Sequence, residues 1–287
     1  MSRSSVAALV LTVLMAGCGG GRAVSLGPVP SVSAPSTPTP TGPETTPSTS
    51  PGGPTPSASP SPSGRTISLQ VWLVRDGKLF QTERVEPFSV AVGRLSLEAL
   101  AQGPTADERS AGITTTVSPD TTFAITALAG GLATVQTSMT LPASFTPTSS
   151  APVAQVVYTL TQFSTIQRVR FVDSGEGFSR RDFATLMPAI VVASPAVGSV
   201  VGSPLMISGT ADVFEATVSV RVLDEDGRVL TSSFTTATCG TGCRGDYAVT
   251  VRFSVDHQQP GTVQVFDYSA NDGSVENLQS IPVTLAP

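Results

Sequence analysis

The sequence predicts an α+β domain followed by an all-β sandwich, with a disordered tether in front of both. Across residues 65–177, strand-like alternation of apolar residues is interrupted twice by apolar residues at helical spacing. Across residues 178–287, short strand patterns follow one another with turn signals between them. Residues 18–64 are rich in proline, serine and threonine and carry too little apolar surface to offset the entropy lost on ordering.

The first element is a secretory signal at residues 1–17. Arg3 gives it a positive start, and an apolar run from Val6 to Met15 follows. That run is about half of the ~20 apolar residues that a membrane-spanning helix needs. The segment Leu14-Met15-Ala16-Gly17-Cys18 resembles a bacterial lipobox, which implies removal of the signal and lipidation of Cys18. The alternative is an ordinary cleaved signal in which the cysteine is incidental.

The tether at residues 18–64 is predicted to be extended. Segments such as Ser36-Thr37-Pro38-Thr39-Pro40-Thr41 favour polyproline II. At roughly 3.1 Å per residue, about 40 such residues reach on the order of 120 Å. We therefore expect the folded domains to stand away from the membrane that Cys18 would anchor them to.

The α+β domain is predicted at residues 65–177. Alternation over 67–73, a turn at Arg75-Asp76-Gly77-Lys78 and a partner run over 79–85 indicate two strands. Helical spacing follows Ser89 and ends at Gly103-Pro104, and a second apolar stripe follows Pro152. The remaining strands are expected at 122–128, 132–135 and 166–172. Interleaved strands and helices predict a mixed sheet with two helices on one face.

The second domain, residues 178–287, contains strand patterns and no convincing helix. Turn signals occur at Asp224-Glu225-Asp226-Gly227 and Asn271-Asp272-Gly273. About seven short strands in about 100 residues is the pattern of an immunoglobulin-like sandwich. The strands are expected at 190–192, 205–209, 214–223, 229–235, 247–253, 261–268 and 281–285.

Composition bears on partners. Charged residues are 13% of the chain and the net charge is −5. The chain therefore lacks the excess of basic residues that binds phosphate backbones, and we expect no nucleic-acid partner.

Cys239 and Cys243 flank Gly240-Thr241-Gly242, and in an exported protein this spacing predicts a small loop-closing disulfide. A metal pair or a redox-active pair are the alternatives, although only one histidine and no further thiol are at hand to complete a metal site.

No cluster of residues predicts catalysis, a cofactor or a metal. His257 lies in a polar connection without a nucleophile elbow elsewhere, so we interpret it as an exposed loop residue. The carboxylates at 224–226 suit calcium, but turn chemistry explains them more simply. Trp72, in an alternating strand, is expected to pack in a core or interface rather than to bind sugar.

Other acidic residues are expected to have local roles. Asp173, Glu176 and Asp182 lie where a solvated connection between the domains is predicted. Glu215 is expected to cap main-chain amides or to pair with an arginine.

Two ordered blocks of the first domain resemble the GerMN domain of sporulation and spore-germination proteins. These blocks are Leu97-Glu98-Ala99-Leu100-Ala101-Gln102-Gly103-Pro104-Thr105-Ala106-Asp107-Glu108 with Gly112-Ile113, and 155–163 with Val169-Arg170-Phe171. The second domain resembles the immunoglobulin-like domain found after GerMN in bacterial proteins. It does so at Ser194-Pro195, Ser203-Pro204-Leu205, Gly209-Thr210-Ala211, Phe214-Glu215-Ala216 and 266–270. The resemblance implies a non-catalytic module of envelope proteins and lipoproteins.

The expected function is a non-catalytic envelope protein, anchored by lipid at the extracytoplasmic face of the cell membrane. Its partner is expected to be an envelope protein, with peptidoglycan as a further candidate, bound through surface patches and open sheet edges rather than through a buried pocket. The alternative is a hydrolase of peptidoglycan or glycan, for which the sequence offers no paired carboxylates or Cys/His pair. A solute receptor of a transporter ranks last, because the two halves look unlike each other.

Overall fold

A computed structural model describes residues 64–141, 151–175 and 177–287. The predicted signal, Cys18 and the tether as far as residue 63 lie outside the described residues. Both folded domains belong to one compact unit.

The first domain begins with an antiparallel hairpin of β1 (Thr66–Arg75) and β2 (Lys78–Pro87). Its turn residues Asp76 and Gly77 have φ of +51° and +71°, the left-handed geometry that suits a two-residue hairpin turn. Leu69, Val71 and Leu73 on one face of β1 are completely buried, and Trp72 and Val74 on the other face are buried as well. Both predicted strands and the turn between them are confirmed.

The rest of the first domain is a second sheet with helices packed beside it. The helices are α1 (Val92–Gln102), α2 (Ala106–Ser110) and α3 (Ala151–Leu160). The strands run in the order β3 (Phe123–Ala129), β4 (Leu132–Thr137), β5 (Arg168–Phe171) and β6 (Gly177–Phe178). The pair β4–β5 is parallel and the others are antiparallel, so this is the predicted mixed sheet. The hairpin stays a separate two-stranded sheet.

The outer edge of β1 is closed by side chains of α3 and the turn that follows it. Gln155 Nε2 donates to the carbonyl of Trp72 over 2.9 Å, and the amide of Trp72 donates to Thr159 Oγ1 over 3.1 Å. Gln162 bonds both the amide and the carbonyl of Gln70 over 2.8 Å. Residues 155, 159 and 162 have the spacing of one helix face. This edge therefore cannot accept a partner strand in the way that the sequence suggested.

The second domain is a sandwich of two sheets, and the predicted class is confirmed. One sheet has the strand order β11-β10-β13-β14-β8 and the other has β12-β9-β7. Their inward residues, including Ile207, Val220 and Val265, are fully buried. The strands are β7 (Ile190–Ser194), β8 (Val200–Val201), β9 (Leu205–Ala211), β10 (Thr217–Leu223), β11 (Val229–Thr236), β12 (Gly245–Val251), β13 (Gln259–Tyr268) and β14 (Val275–Leu285).

The segment between the domains packs on the first one. The ring of Phe178 in β6 lies 6.4 Å from that of Phe171 and 5.9 Å from that of Phe183. Phe183 belongs to a 3-10 helix, Arg180–Leu186, and is 1% exposed. The predicted boundary after Gly177 falls inside this packed region, because aromatic burial continues the first core past it. Within the described ranges, no helix combines the length and apolarity that crossing a membrane requires.

Candidate functional site: a cleft between the domains

A cleft of about 740 Å³ lies where the two domains meet. The hairpin contributes Trp72 and Gln81, which are paired across β1 and β2. Helix α3 contributes Tyr158, and the connecting segment and the second domain supply the rest of the lining. The lining residues from those two parts are Arg180, Arg181, Ala184, Met187, Thr210, Asp212, Gly242 and Arg244.

One wall is a stack of two aromatic rings and a guanidinium. The rings of Trp72 and Tyr158 lie 4.9 Å apart at 57°, and Arg180 Cζ lies 5.0 Å from the Tyr158 ring and 5.7 Å from the Trp72 ring. Arg180 Nε donates to Thr161 Oγ1 over 2.8 Å, and Nη2 donates to the carbonyl of Tyr158 over 3.2 Å. The Tyr158 hydroxyl donates to the carbonyl of Arg180 over 3.1 Å. These contacts hold the guanidinium of Arg180 in place beside the aromatic pair.

The second domain contributes Arg244 to the lining, directly after the second cysteine of the disulfide loop. Its Nη2 donates to the carbonyl of Pro188 over 2.5 Å, and its Nη1 donates to the carbonyl of Ala189 over 3.3 Å. Nη1 also lies 3.3 Å from Thr210 Oγ1. All these acceptors are neutral, so the contacts position the Arg244 charge without neutralising it.

Burial shifts the pKa of Arg180, Arg244 and Tyr158 in the cleft. Desolvation lowers the pKa of Arg180 and of Arg244, with Tyr158 opposing the shift in both and Asp212 opposing it for Arg244. Burial raises the pKa of Tyr158, and the positive charges of Arg180 and Arg244 partly oppose this rise. Tyr158 therefore interacts electrostatically with one arginine of the connecting segment and with one of the second domain.

The indole of Trp72 contributes an unpaired donor. The side chain is 2% exposed, and its Nε1 has no hydrogen-bond acceptor among the described residues. Leaving a buried donor unpaired costs about 1–3 kcal/mol. The prediction that Trp72 packs in a core or interface is confirmed.

The predicted disulfide is present and borders the cleft. Cys239 and Cys243 are joined, with their Cα atoms 5.6 Å apart. Within this loop, the amide of Gly242 donates to Asp212 Oδ1 over 2.7 Å, which fixes the one carboxylate among the described lining residues. Cys18, the other predicted site residue, lies outside the described ranges.

The remaining candidates from the sequence lie apart from the cleft. Asp224 Oδ1 accepts from the amides of Asp226 and Arg228 over 3.0 and 2.8 Å, the hydrogen bonding of a turn. His257 is exposed, with Nε2 3.9 Å from Glu225 Oε1. In the described part of the chain, no group of three or more His, Cys, Asp or Glu residues is arranged to hold a metal ion.

The structure departs from the roles that the sequence predicted for Asp182 and Glu215. Asp182 Oδ2 accepts from the amide and hydroxyl of Ser179 over 2.6 and 3.0 Å, so it caps the 3-10 helix rather than lying free in a connection. Glu215 is exposed and has φ of +51°. The ion pairs of the described residues do not include it, so its expected pairing with an arginine is not found there.

Sequence reasoning missed the cleft because its residues come from separate segments. None of Tyr158, Arg180 and Arg244 stands in a local motif that predicts a binding role. One signal was available: Arg180-Arg181 is a pair of basic residues in a chain of low charge.

A second, apolar groove of about 520 Å³ lies beside β3. It is lined by side chains that include Val90, Ile125, Leu128 and Phe163, and Val90 is 91% exposed. In the described sheet β3 pairs with β4 alone, so its other edge is open as the sequence suggested.

Comparison with known families identifies both domains. Residues 69–176 match Germane, described as sporulation and spore germination, and residues 189–274 match Gmad2, the immunoglobulin-like domain of bacterial spore germination. Neither family has a known catalytic activity. No curated protein matches the chain.

Similar solved structures include the tandem GerMN domains of the sporulation protein GerM from Bacillus subtilis. That match has 15% identity and a TM-score of 0.32, and covers 44% of this chain and 50% of that one, so the chain spans half the length of that structure. The first GerMN domain of the same protein matches with 22% identity and a TM-score of 0.34, covering 40% of this chain and 99% of that one.

CopC from Methylosinus trichosporium OB3b is also similar, with 16% identity and a TM-score of 0.24 over 35% of this chain and 94% of that one. The family matches agree with the resemblance predicted from the sequence, in content and in order. The chain therefore carries a Germane domain of the sporulation and spore germination family, followed by a Gmad2 immunoglobulin-like domain.

Proposed function

We propose that this protein is a non-catalytic component of the bacterial cell envelope that binds another envelope component in the cleft between its Germane and Gmad2 domains. A lipid on Cys18 holds it at the extracytoplasmic face of the cell membrane. The partner is an envelope protein, and peptidoglycan is the alternative ligand. Membrane attachment raises the local concentration of the cleft near such a partner.

The cleft is the observation that carries this proposal. Its volume of about 740 Å³ falls within the range of about 300–1,000 Å³ typical of ligand sites. Arginine is among the residues that most often dominate binding energy. Arg180 and Arg244 line the cleft, and Arg180 lies over the rings of Trp72 and Tyr158, which are themselves 2% and 4% exposed.

The same lining argues for binding rather than turnover. Among the described residues that line the cleft, Asp212 is the one carboxylate, and neither histidine nor cysteine is present. A general acid and base need two groups with separated pKa values, and arginine stays protonated. Binding is therefore the chemistry that these side chains support best.

Cross-linking of envelopes that contain the full chain tests the proposal. We expect capture of one envelope component, and its loss when cleft-lining Gln81 is replaced by Trp to fill the space. The control Arg228→Trp changes an exposed arginine that does not line the cleft and should leave capture unchanged. Equal capture by wild type and both variants would contradict binding in the cleft.

Incubation with purified cell wall separates the binder from the hydrolase. We expect no release of muropeptides by the full chain, whether or not it sediments with the wall. Release of muropeptides that grows with time and with the concentration of this protein would favour the hydrolase.

Mass spectrometry of the membrane fraction tests the anchor. We expect a mature N-terminal peptide that begins at Cys18 and carries added acyl mass, and a Cys18→Ser variant that leaves the membrane fraction. An N-terminal peptide without acyl mass would exclude the anchor.

A further inference from the structure

The cleft is a positive region on an acidic chain. Arg180, Arg181 and Arg244 line it together with Asp212, although the whole chain has a net charge of −5. Asp212 already accepts the amide of Gly242 over 2.7 Å. Three cations and one carboxylate leave the lining with an excess of positive charge.

None of these arginines has a carboxylate partner within ion-pair distance among the described residues. The four ion pairs there involve other groups. Arg180 uses two of its five N–H groups, on a hydroxyl and a carbonyl. Its other N–H groups find no acceptor among the described residues.

Partial burial makes unpaired charge costly. Arg180 and Arg244 are half-buried and bonded to neutral oxygens, and a desolvated cation gains most when an anion and its hydrogen bonds replace lost water. Arg180 Cζ lies over both aromatic rings, and the N–H groups of Arg180 that Thr161 and Tyr158 do not use are the donors left for an acceptor. The unpaired Nε1 of Trp72 is buried within the same wall.

We propose that the cleft binds an oxyanion, a carboxylate or phosphate group, carried by the envelope component. This inference rests on the proposed binding function and names the chemistry of its ligand. Arg181 supplies charge at the exposed rim, Arg180 supplies the fixed planar donors, and Arg244 faces them from the second domain.

Trp72 provides the readout, because it is the one tryptophan of the chain. The full chain is titrated with N-acetyl-alanyl-alanine bearing a free carboxylate, with the same peptide as its amide, and with inorganic phosphate. We expect a saturable change in tryptophan emission with the free acid or with phosphate and none with the amide. A response to the free acid identifies the ligand group as a carboxylate, and a response to phosphate identifies it as a phosphate.

Two variants locate the site. Arg181→Gln removes an exposed charge from the rim, and we expect about threefold weaker binding, because solvent screens an exposed charge pair. The matched control is Arg228→Gln, which removes an exposed arginine paired with Asp226 and should bind the anion as the wild type does. Thermal unfolding of both variants should coincide with that of the wild type.

The inference is overturned if the acid and the amide give the same signal and phosphate gives none, or if Arg181→Gln binds as tightly as Arg228→Gln. Capture from cross-linked envelopes keeps the two proposals apart. If neither the peptide acid nor phosphate changes the tryptophan emission while an envelope component is still captured, the oxyanion site is excluded and the binding function stands. Anion binding without any captured component would overturn the binding function and leave the oxyanion site standing.

Discussion

Arg75, at the end of the first strand of the Germane domain, donates through Nη1 to the main-chain carbonyl of Ser280 in the Gmad2 domain over 3.0 Å. The same guanidinium bonds the side chain of Gln279 and lies 4.5 Å from the ring centre of Phe80. Burial lowers the pKa of Arg75, with Asp76 opposing the shift. Because the walls of the cleft belong to different domains, such contacts across the junction determine how the walls face each other.

Arg75→Gln should therefore destabilise the junction. Hydrogen bonds from charged donors are worth more than neutral ones, so we expect a loss of about 1–2 kcal/mol in the free energy of unfolding. Hydrogen exchange should also speed up around Ser280, whose main-chain carbonyl loses its donor from the Germane domain. Arg94→Gln, which breaks an exposed i,i+4 pair, is the control and should cost no more than about 0.5 kcal/mol. Equal effects of the two variants would contradict a bridging role for Arg75.

Glu108 anchors α2 and is the residue of the GerMN-like motif with the clearest physical role. It is 2% exposed and accepts from Arg84 Nη1 and Nη2 over 2.8 and 2.6 Å and from the amide of Thr105 over 2.7 Å. Burial raises the pKa of this carboxyl, but hydrogen bonds from Arg84, Thr82 and Thr105 outweigh it and lower the pKa below its ordinary value. Glu108→Gln should cost about 3 kcal/mol at neutral pH, because it leaves Arg84 without its counterion.

The pH dependence of that cost follows from the direction of the shift. A carboxyl with a lowered pKa in the folded state stabilises the fold above its unfolded pKa, and loses this contribution as pH falls through the folded pKa. The difference in unfolding free energy between wild type and Glu108→Gln should therefore shrink from pH 7 toward pH 3 in denaturant titrations. Glu98→Gln on exposed α1 is the control. A difference that stays constant with pH would rule out the buried carboxylate as its source.

Gly209, in the middle of β9, has no room for a side chain. A Cβ there would lie 1.9 Å from the carbonyl oxygen of Val191 and 2.8 Å from the hydroxyl of Tyr247. Gly209→Ala should lower the free energy of unfolding by at least about 2 kcal/mol, since the sheet must shift to admit the methyl group. Gly202→Ala is a matched control, because a Cβ there meets nothing within 4 Å. Similar melting temperatures for the two variants would contradict this packing.

The disulfide should contribute modestly to stability. It spans a sequence separation of 4, and closing so short a loop removes about 2 kcal/mol of unfolded-state entropy. The double variant Cys239→Ser with Cys243→Ser should melt lower by a corresponding amount, and reductant should lower the melting temperature of the wild type but not of the variant. A reductant effect on the variant would show that another group responds.

The sequence predicted the regular elements well where burial follows a simple period. Strands such as β1 and helices such as α1 and α3 carry continuous apolar patterns, and tertiary packing preserves them. Helix α2 was not predicted because five residues are too few to show a period. Its signal was local: Thr105 and Glu108 form a capping box that the spacing Thr-x-x-Glu already contains.

The cleft could not be predicted from the sequence for a different reason. Trp72, Tyr158, Arg180 and Arg244 lie on four segments whose meeting depends on how two domains dock. Closure of the β1 edge by Gln155 and its helix neighbours likewise depends on tertiary placement, because a buried glutamine in an apolar stripe has no pattern of its own. Helices and strands can therefore be predicted from local apolar periodicity, whereas the cleft depends on contacts between segments that are distant in the sequence.

Photo-crosslinking in the native host, with the anchor intact, tests the central claim most directly. A photoreactive phenylalanine analogue at Gln81 would sit in the cleft, and the same analogue at exposed Arg228 would sit away from it. The account predicts a discrete adduct with one envelope component from position 81 and none from position 228. The same adduct from both positions, or from position 228 alone, would contradict it.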